Sequence, residues 1–203
     1  MPEGPIDCAA KSVVWVSEMF AEASPAKCSH EMMVSLAMGF VVLTFPSLEG
    51  PMTLVFLRGL LEKDSELLLK WRNDPDTRRN SLHTEEVSPE DHARWFQNMI
   101  INRPQEALVA TIEGDPVGVI RFDWNPGHDT CEISLTVAPE HRGKGVGFAM
   151  AENFIHDMHN VRIVARIKRH NLPSRRIFEK LGFHTMGDDK ELLLYAKDLG
   201  PPS

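Results

Sequence analysis

The stretch Ser134-Leu-Thr-Val-Ala-Pro-Glu-His-Arg-Gly-Lys-Gly-Val-Gly-Phe-Ala-Met-Ala-Glu152 decides how this chain is read. It continues a run in which polar Glu132, Ser134 and Thr136 alternate with apolar Ile133, Leu135 and Val137, the period of a half-buried strand. Pro139 has no N–H to offer a ladder, so the strand stops before it. Val146, Met150, Phe154, Ile155 and Met158 then recur at helical spacing. Between strand and helix lies Arg142-Gly-Lys-Gly-Val-Gly147. Glycines let a backbone turn tightly and approach a ligand, and the first N–H groups of a helix lack internal partners and point at an anion. Arg142 and Lys144 add positive charge at the same place.

Two common phosphate loops are excluded. A dinucleotide fingerprint needs an acid about 20 residues further on, at the end of the next strand. Here that strand is Arg162-Ile-Val-Ala-Arg-Ile-Lys-Arg169, which carries none, and the G-x-x-x-x-G-K-[ST] loop is absent as well. What remains is Arg142-x-x-Gly145-x-Gly147, preceded by Val137-Ala-Pro-Glu-His and followed by Asn171-x-x-Ser174-x-x-x-Phe-Glu-Lys-Leu-Gly-Phe183. In order and spacing these resemble the GNAT superfamily of acetyl-CoA-dependent N-acetyltransferases, over roughly Thr53 to Lys197. The resemblance implies an α/β GNAT fold, a mixed and mostly antiparallel central sheet flanked by helices. It implies acetyl-CoA as acyl-donor cosubstrate and no metal.

Composition agrees with such an enzyme. The 203 residues are 42% hydrophobic, enough for one well-buried core with or without an appendage. A net charge of −7 argues against nucleic acid as the main partner. Cys8, Cys28 and Cys131 are odd in number and scattered, which suits a reducing cytoplasm and neither a disulfide framework nor a zinc site. No secretory leader is expected, because Glu3 and Asp7 occupy the start and no basic segment opens it. His156 and His159 are three apart, with no third ligand spaced nearby. A homodimer is left open.

Residues 1–51 read as an N-terminal extension of uncertain structure, and 52–203 as the GNAT domain. Lys11 to Glu22 has helical character, and Met32 to Phe45 is almost wholly apolar. That second run is shorter than the roughly 18 residues of a membrane span, so no membrane partner is expected. Pro46 and Gly50-Pro51 read as a linker. Beyond it the pattern predicts a strand at Thr53–Leu57, a helix Ser65–Arg72 capped by Asp64, and a loop over Arg78–Val87. Ser88-Pro-Glu-Asp91 starts a second helix; Gly114-Asp115 joins two strands as a hairpin; and Thr130–Val137 is the strand before the loop. A helix from Val146 to about His159, a strand Arg162–Lys168, a helix Pro173–Leu181 and a hairpin of Phe183–Met186 with Leu192–Lys197 complete the domain.

By resemblance, Arg142, Gly143, Lys144, Gly145, Val146 and Gly147 hold the pyrophosphate. Leu135, Thr136 and Val137 meet the pantetheine arm, and the Val137 N–H binds the thioester oxygen. Asn171 and Ser174 contact pantetheine or sulfur, with helix capping as the ordinary role for Asn171. Glu132 is the expected proton acceptor, on the polar face with Ser134 and Thr136; His128 and Asp123 are alternatives. One departure stands out. Where many members place a tyrosine seven residues after the motif asparagine, this chain has Phe178, so Ser174, water or nothing protonates a thiolate of pKa about 8.5. The cluster Arg166, Lys168, Arg169, Arg175 and Arg176 reads as a neighbour of the coenzyme's 3′-phosphate or as surface charge.

The acceptor is expected to be a small-molecule amine. Trp71-Arg-Asn73, Arg78, Ser81 and Glu90-Asp-His92-x-x-Trp95-Phe96 resemble the branch that acetylates nucleotide-linked 4-amino sugars, which also includes ribosomal-protein N-terminal acetyltransferases. Arg72, Asn73, Arg78, Ser81 and His92 are thus the candidate acceptor contacts, with core packing the plain alternative for the helical aromatics. A catalytically silent acyl-CoA-binding module is the non-enzymatic reading.

Overall fold

Continuous buried runs in β2 (Ala107–Ile112) and β3 (Asp115–Trp124), strands covered on both faces, build the middle of the molecule. The two strands are joined at Glu113 and Gly114, whose φ of 52° and 93° give the turn the hand that suits twisted strands. The computed structural model describes residues 54–187 and 190–201. The extension 1–51 and its two predicted segments lie outside the described residues.

Seven strands form one sheet in the order β1-β2-β3-β4-β5-β7-β6. They are β1 (Phe56–Gly59), β2, β3, β4 (Thr130–Val137), β5 (Val161–Lys168), β6 (His184–Thr185) and β7 (Leu192–Leu199). Every neighbouring pair is antiparallel except β4 with β5, which run parallel. Helices α4 (Val146–His156) and α5 (Leu172–Lys180) cover one face, where Met150, Phe154 and Phe178 meet Ile120, Phe122 and Ile133. On the other face α1 (Ser65–Asn73) and α3 (Pro89–Asn102) bring Leu68, Trp71 and Phe96 onto Val109 and Val119. Five apolar side chains from two helices and two strands thus close the second, smaller core. No helix among the described residues is long and apolar enough to cross a membrane.

Most expected elements are present, with four local differences. The first strand starts at Phe56, three residues later than its β-branched pattern implies. The helix after the glycine loop ends at His156, where Asp157 leaves helical geometry. Arg78–Val87 is not wholly loop: Pro75–Asn80 forms α2, with the Asp74 carboxylate accepting from the Thr77 N–H at 3.0 Å. None of its six residues is buried, so it has no apolar stripe for a periodicity to detect. Ser88 caps α3 as its sequence implies, accepting from the Asp91 N–H at 3.0 Å.

Asp64 departs in role rather than place. Its carboxylate makes no cap bond to α1; it takes both Arg58 guanidinium nitrogens, at 2.6 and 2.8 Å, and the Leu61 N–H at 2.8 Å. Burial by itself disfavours the charged form, yet the Arg58 and Leu61 hydrogen bonds hold the carboxyl below its ordinary value. The forked pair ties β1 to the start of α1.

A depressed carboxyl pKa means that the stability from this pair is complete above the unfolded aspartate value and drains away as pH falls through the lower folded one. Asp64→Asn, which leaves Arg58 half-satisfied, should cost roughly 3 kcal/mol at neutral pH. Denaturant titrations from neutral to acid pH should show the variant's deficit shrinking at the acid end. A deficit independent of pH would exclude the ion pair as its cause.

Candidate active site

β4 and β5 begin together and then part. Their parallel register covers only Thr130↔Arg162, Cys131↔Ile163 and Glu132↔Val164. From there β4 stays with β3 as far as Gly118↔Val137, while β5 stays with β7 as far as Lys168↔Leu192. The Asp129 carbonyl accepts from the Arg162 N–H at 2.8 Å, and at the far end the Ala138 N–H donates to the Val117 carbonyl of β3 at 2.9 Å. Backbone groups alternate sides along a strand, so both ends agree that Leu135 and Val137 aim their N–H groups at the β5 side, into the gap. Val137 is the residue whose N–H the resemblance assigns to the thioester oxygen, and the Leu135 N–H points the same way. Thr136 faces β3 with its backbone, so only its side chain is left for the opposite face of the sheet.

The gap runs to the glycine loop and the N-terminus of α4. Gly143 and Gly145 take φ of 74° and 80°, and space for a Cβ is open at both. Gly145 is the N-cap; it offers no side chain to the helix, and the first turn holds no acid. The leading N–H groups, including that of Val146, therefore have neither a cap nor a competing carboxylate. A Cβ on Gly147 would lie 2.9 Å from Ile177 Cδ1 and 3.2 Å from Val137 Cγ2, so this glycine lets α4 pack closely on α5 and β4. The Val146 side chain is buried in the core. Arg142 is engaged within the fold. Its guanidinium binds Asp74 Oδ1 at 2.6 Å and Thr77 Oγ1 at 2.8 Å, lies 3.6 Å from Asp76, and gives its Nε to the Val137 carbonyl at 3.2 Å. Its charge is thus already answered, and Lys144 is the exposed cation of the loop. Asp74 in turn is kept below the ordinary aspartate value: burial opposes this, but the Thr77 N–H and Arg142 prevail.

Glu132 sits at the fork itself. One carboxylate oxygen accepts from Arg166 Nε at 2.7 Å across the opening, which fixes its direction and leaves the other oxygen to face the gap or solvent. It shares the α1/α3 face of the sheet with Ser134 and Thr136, opposite Asp123, Arg121 and Val119 of β3. Asp123 is taken by Arg103 at 2.6 Å. His128 lies in the β3–β4 turn with its ring against Trp124, at the end of β4 away from the gap. Arg121 was not foreseen from the pattern of β3, because only the register puts it beside Ser134; its guanidinium lies over the Trp95 ring of α3, 5.3 Å from the centroid.

Of the expected acceptor contacts, four serve the fold. Asn73 clamps Val87 through both its amide oxygen and nitrogen, at 2.9 and 2.8 Å. Arg78 binds the Thr84 carbonyl at 2.9 Å and Glu86 at 3.3 Å, and Ser81 Oγ donates to the Thr77 carbonyl at 2.7 Å. His92 is buried, with Nε2 2.8 Å from the Ser65 carbonyl and its ring against Trp95 and Phe96; burial lowers its pKa. It joins α3 to α1. Arg72 differs: one terminal nitrogen binds the His83 carbonyl at 2.9 Å, and the other is buried with no partner among the described residues.

At the start of α5, Asn171 Oδ1 accepts from the Ser174 N–H at 3.3 Å, so the asparagine caps the helix. Ser174 is one turn before Phe178, which is 3% exposed and packs edge-on against Phe183 at 5.0 Å. Phe178 is core. Tyr195, the lone tyrosine, is buried and donates to Glu179 at 2.6 Å. Among the described residues no group of three or more His, Cys, Asp or Glu is placed to hold a metal. Burial pushes the Cys131 thiol up to about 12, so it stays an unreactive part of the core.

Residues 55–184 match the family model of the acetyltransferase (GNAT) domain. YwnH of Bacillus subtilis (strain 168), named provisionally as a phosphinothricin acetyltransferase, is 34% identical over 119 residues, 55% of this chain and 72% of that protein. The acetyltransferase PseH of Campylobacter jejuni subsp. jejuni serotype O:23/36 (strain 81-176) is 24% identical over 65% of this chain and 84% of its own. The fold is shared with spermidine N-acetyltransferase from Vibrio cholerae, solved in complex with CoA and spermine, at a TM-score of 0.61 and 18% identity, covering 71% of this chain and 95% of that one.

With Arg142 bonded to Asp74 and Thr77, Lys144 is the exposed cation through which an anion at the loop would be attracted. Lys144→Glu should weaken coenzyme A binding roughly tenfold or more, with an unchanged melting temperature since the side chain is exposed. Calorimetry at two salt concentrations checks this; unaltered affinity would remove the loop from the binding site.

Proposed function

The chain belongs to the GNAT family of acetyl-CoA-dependent N-acetyltransferases, and on that footing we propose that it acetylates the primary amine of a small molecule, foremost a nucleotide-linked 4-amino sugar. The observation that carries this is the fork: two backbone donors aimed into a gap between strands, an uncapped helix N-terminus at one end, and Glu132 at the other. The residues present fit acetyl-CoA. Open space over Gly143 and Gly145, exposed Lys144 and the bare first turn of α4 hold the pyrophosphate, while Leu135 and Val137 line the path of the pantetheine. The cosubstrate supplies an activated acetyl group as a thioester.

The rest is done by side chains and backbone of this chain. The Val137 N–H points into the gap, where it would stabilise the thioester oxygen as charge builds on it, and one such donor is typically worth about 3 kcal/mol. Glu132 takes the amine proton, directly or through water, with its carboxylate steered by Arg166. Phe178 contributes packing, so Ser174 or water is left to meet the departing sulfur. The trio Trp71-Arg-Asn73 supports the amino-sugar class through Arg72 alone, since Asn73 and His92 hold loops and helices in place. The scattered cysteines support a cytoplasmic setting.

Glu132→Gln should lower the rate at neutral pH by roughly 10²–10⁴-fold while coenzyme A affinity barely changes. Part of the loss should return as pH rises, because more amine is then neutral at the outset. Thiol release is the readout, across amino-sugar nucleotides, amino acids, polyamines and peptides. A variant with the parent's rate would move the proton to water.

A further inference from the structure

The acceptor face holds two cations, Arg72 and Arg121. Arg72 projects from α1 with one terminal nitrogen spent on the His83 carbonyl and the other buried with no partner among the described residues. Burial works against its charge first, then the charges of Arg121 and Arg78, with Glu85 alone pulling the other way. Arg78 is committed to the Thr84 carbonyl and Glu86. Arg121 reaches up from β3, in register with Ser134 and so one step along the sheet from Glu132, with its guanidinium over the Trp95 ring. The other nearby carboxylates are engaged: Glu132 by Arg166, and Asp123 by Arg103.

A buried guanidinium nitrogen with no partner among the described residues, near a like charge, carries a desolvation cost that an added acceptor atom would recover. An arginine fork presents its donors in a plane that matches carboxylate or phosphate oxygens two at a time. The overall charge of −7 repels such anions, so attraction has to be local, and these two side chains supply it beside the expected base.

We propose that Arg72 and Arg121 form an anion clamp on the acceptor face, and that the amine acetylated by this protein carries a carboxylate or phosphoryl group which the clamp holds while the amine meets Glu132. This deepens the reading above and rests on the β4 polar row being the acceptor face. The anionic group binds between the forks without covalent change. Trp95 under Arg121 sets the height of the clamp by limiting where that guanidinium can lie.

The test uses the full chain saturated with coenzyme A or acetyl-CoA, so that the pyrophosphate loop is already filled, and the Arg121→Gln variant, whose side chain is exposed and outside the core; an unchanged melting temperature checks its fold. One arm pairs an α-amino acid with its amide; the other pairs a nucleoside-diphosphate amino sugar with the free amino sugar. In one arm the charged member should have the higher kcat/KM, and Arg121→Gln should raise its KM roughly 10- to 100-fold while leaving the neutral member unchanged. That arm identifies the anion as carboxylate or phosphoryl. Equal use of charged and neutral members in both arms, or one uniform loss in Arg121→Gln, would overturn the clamp and leave acetyl transfer standing. Calorimetry with glutarate and with uridine diphosphate on the coenzyme A-saturated protein judges the clamp apart from turnover. Binding that Arg121→Gln abolishes, with no amine acetylated, supports the clamp and counts against the transfer reading; no binding of either anion and no charge preference sinks it.

Discussion

The short parallel ladder between β4 and β5 is the constraint on which the rest depends. Three residue pairs join the two halves of the sheet, and then each strand follows its antiparallel neighbour. An antiparallel ladder is slightly stronger per residue than a parallel one, so β3 and β7 hold their strands for longer than these hold each other. The close fit of α4 on α5 at Gly147 and Ile177 occupies the layer beneath the opening, where Val137 also packs. Backbone donors of Leu135 and Val137 are left without strand partners. Unpaired donors in a partly enclosed gap are costly in the empty fold and ready for an acceptor atom.

Arg142 links this opening to the opposite layer. By holding Asp74, Thr77 and the Val137 carbonyl together, it joins the glycine loop to the cap of α2 and to the last residue of β4. The segment from Asp74 to Val87 is therefore tied at one end to the loop by Asp74, and at the other to α1 by the Asn73–Val87 clamp. His92 completes the scaffold by joining α3 to α1. Polar residues that look like ligand contacts in a linear reading are here spent on each other, which leaves few to meet a ligand.

How much was legible varies with the kind of signal. The strand–loop–helix around the glycines and the hairpin at Gly114 rest on periodicity and turn chemistry within a few residues, and both are found where expected. Local patterns fail where no apolar stripe exists, as in α2, or where one side chain has two uses. Asp64 precedes a helix and has the chemistry of a cap, yet the nearby Arg58 offers it two charged hydrogen bonds. Asn73, Ser81 and His92 have the right types for binding, and only their partners show that they are structural.

By itself the sequence determined the family-defining loop, the alternation that puts Glu132, Ser134 and Thr136 on one face, and a hydrophobic rather than chemical residue at Phe178. These follow from residue type and spacing over a single element, which tertiary contacts do not rewrite. The tertiary structure alone decided where β4 leaves β5, that Arg142 binds Asp74 rather than standing free, and that Arg121 of β3 stands beside Ser134 with its guanidinium over Trp95 of α3. Each depends on strand register or on groups far apart in the chain, 68 residues apart for Arg142 and Asp74. The free energy of such contacts comes from positions that only the packed sheet and helices bring within reach.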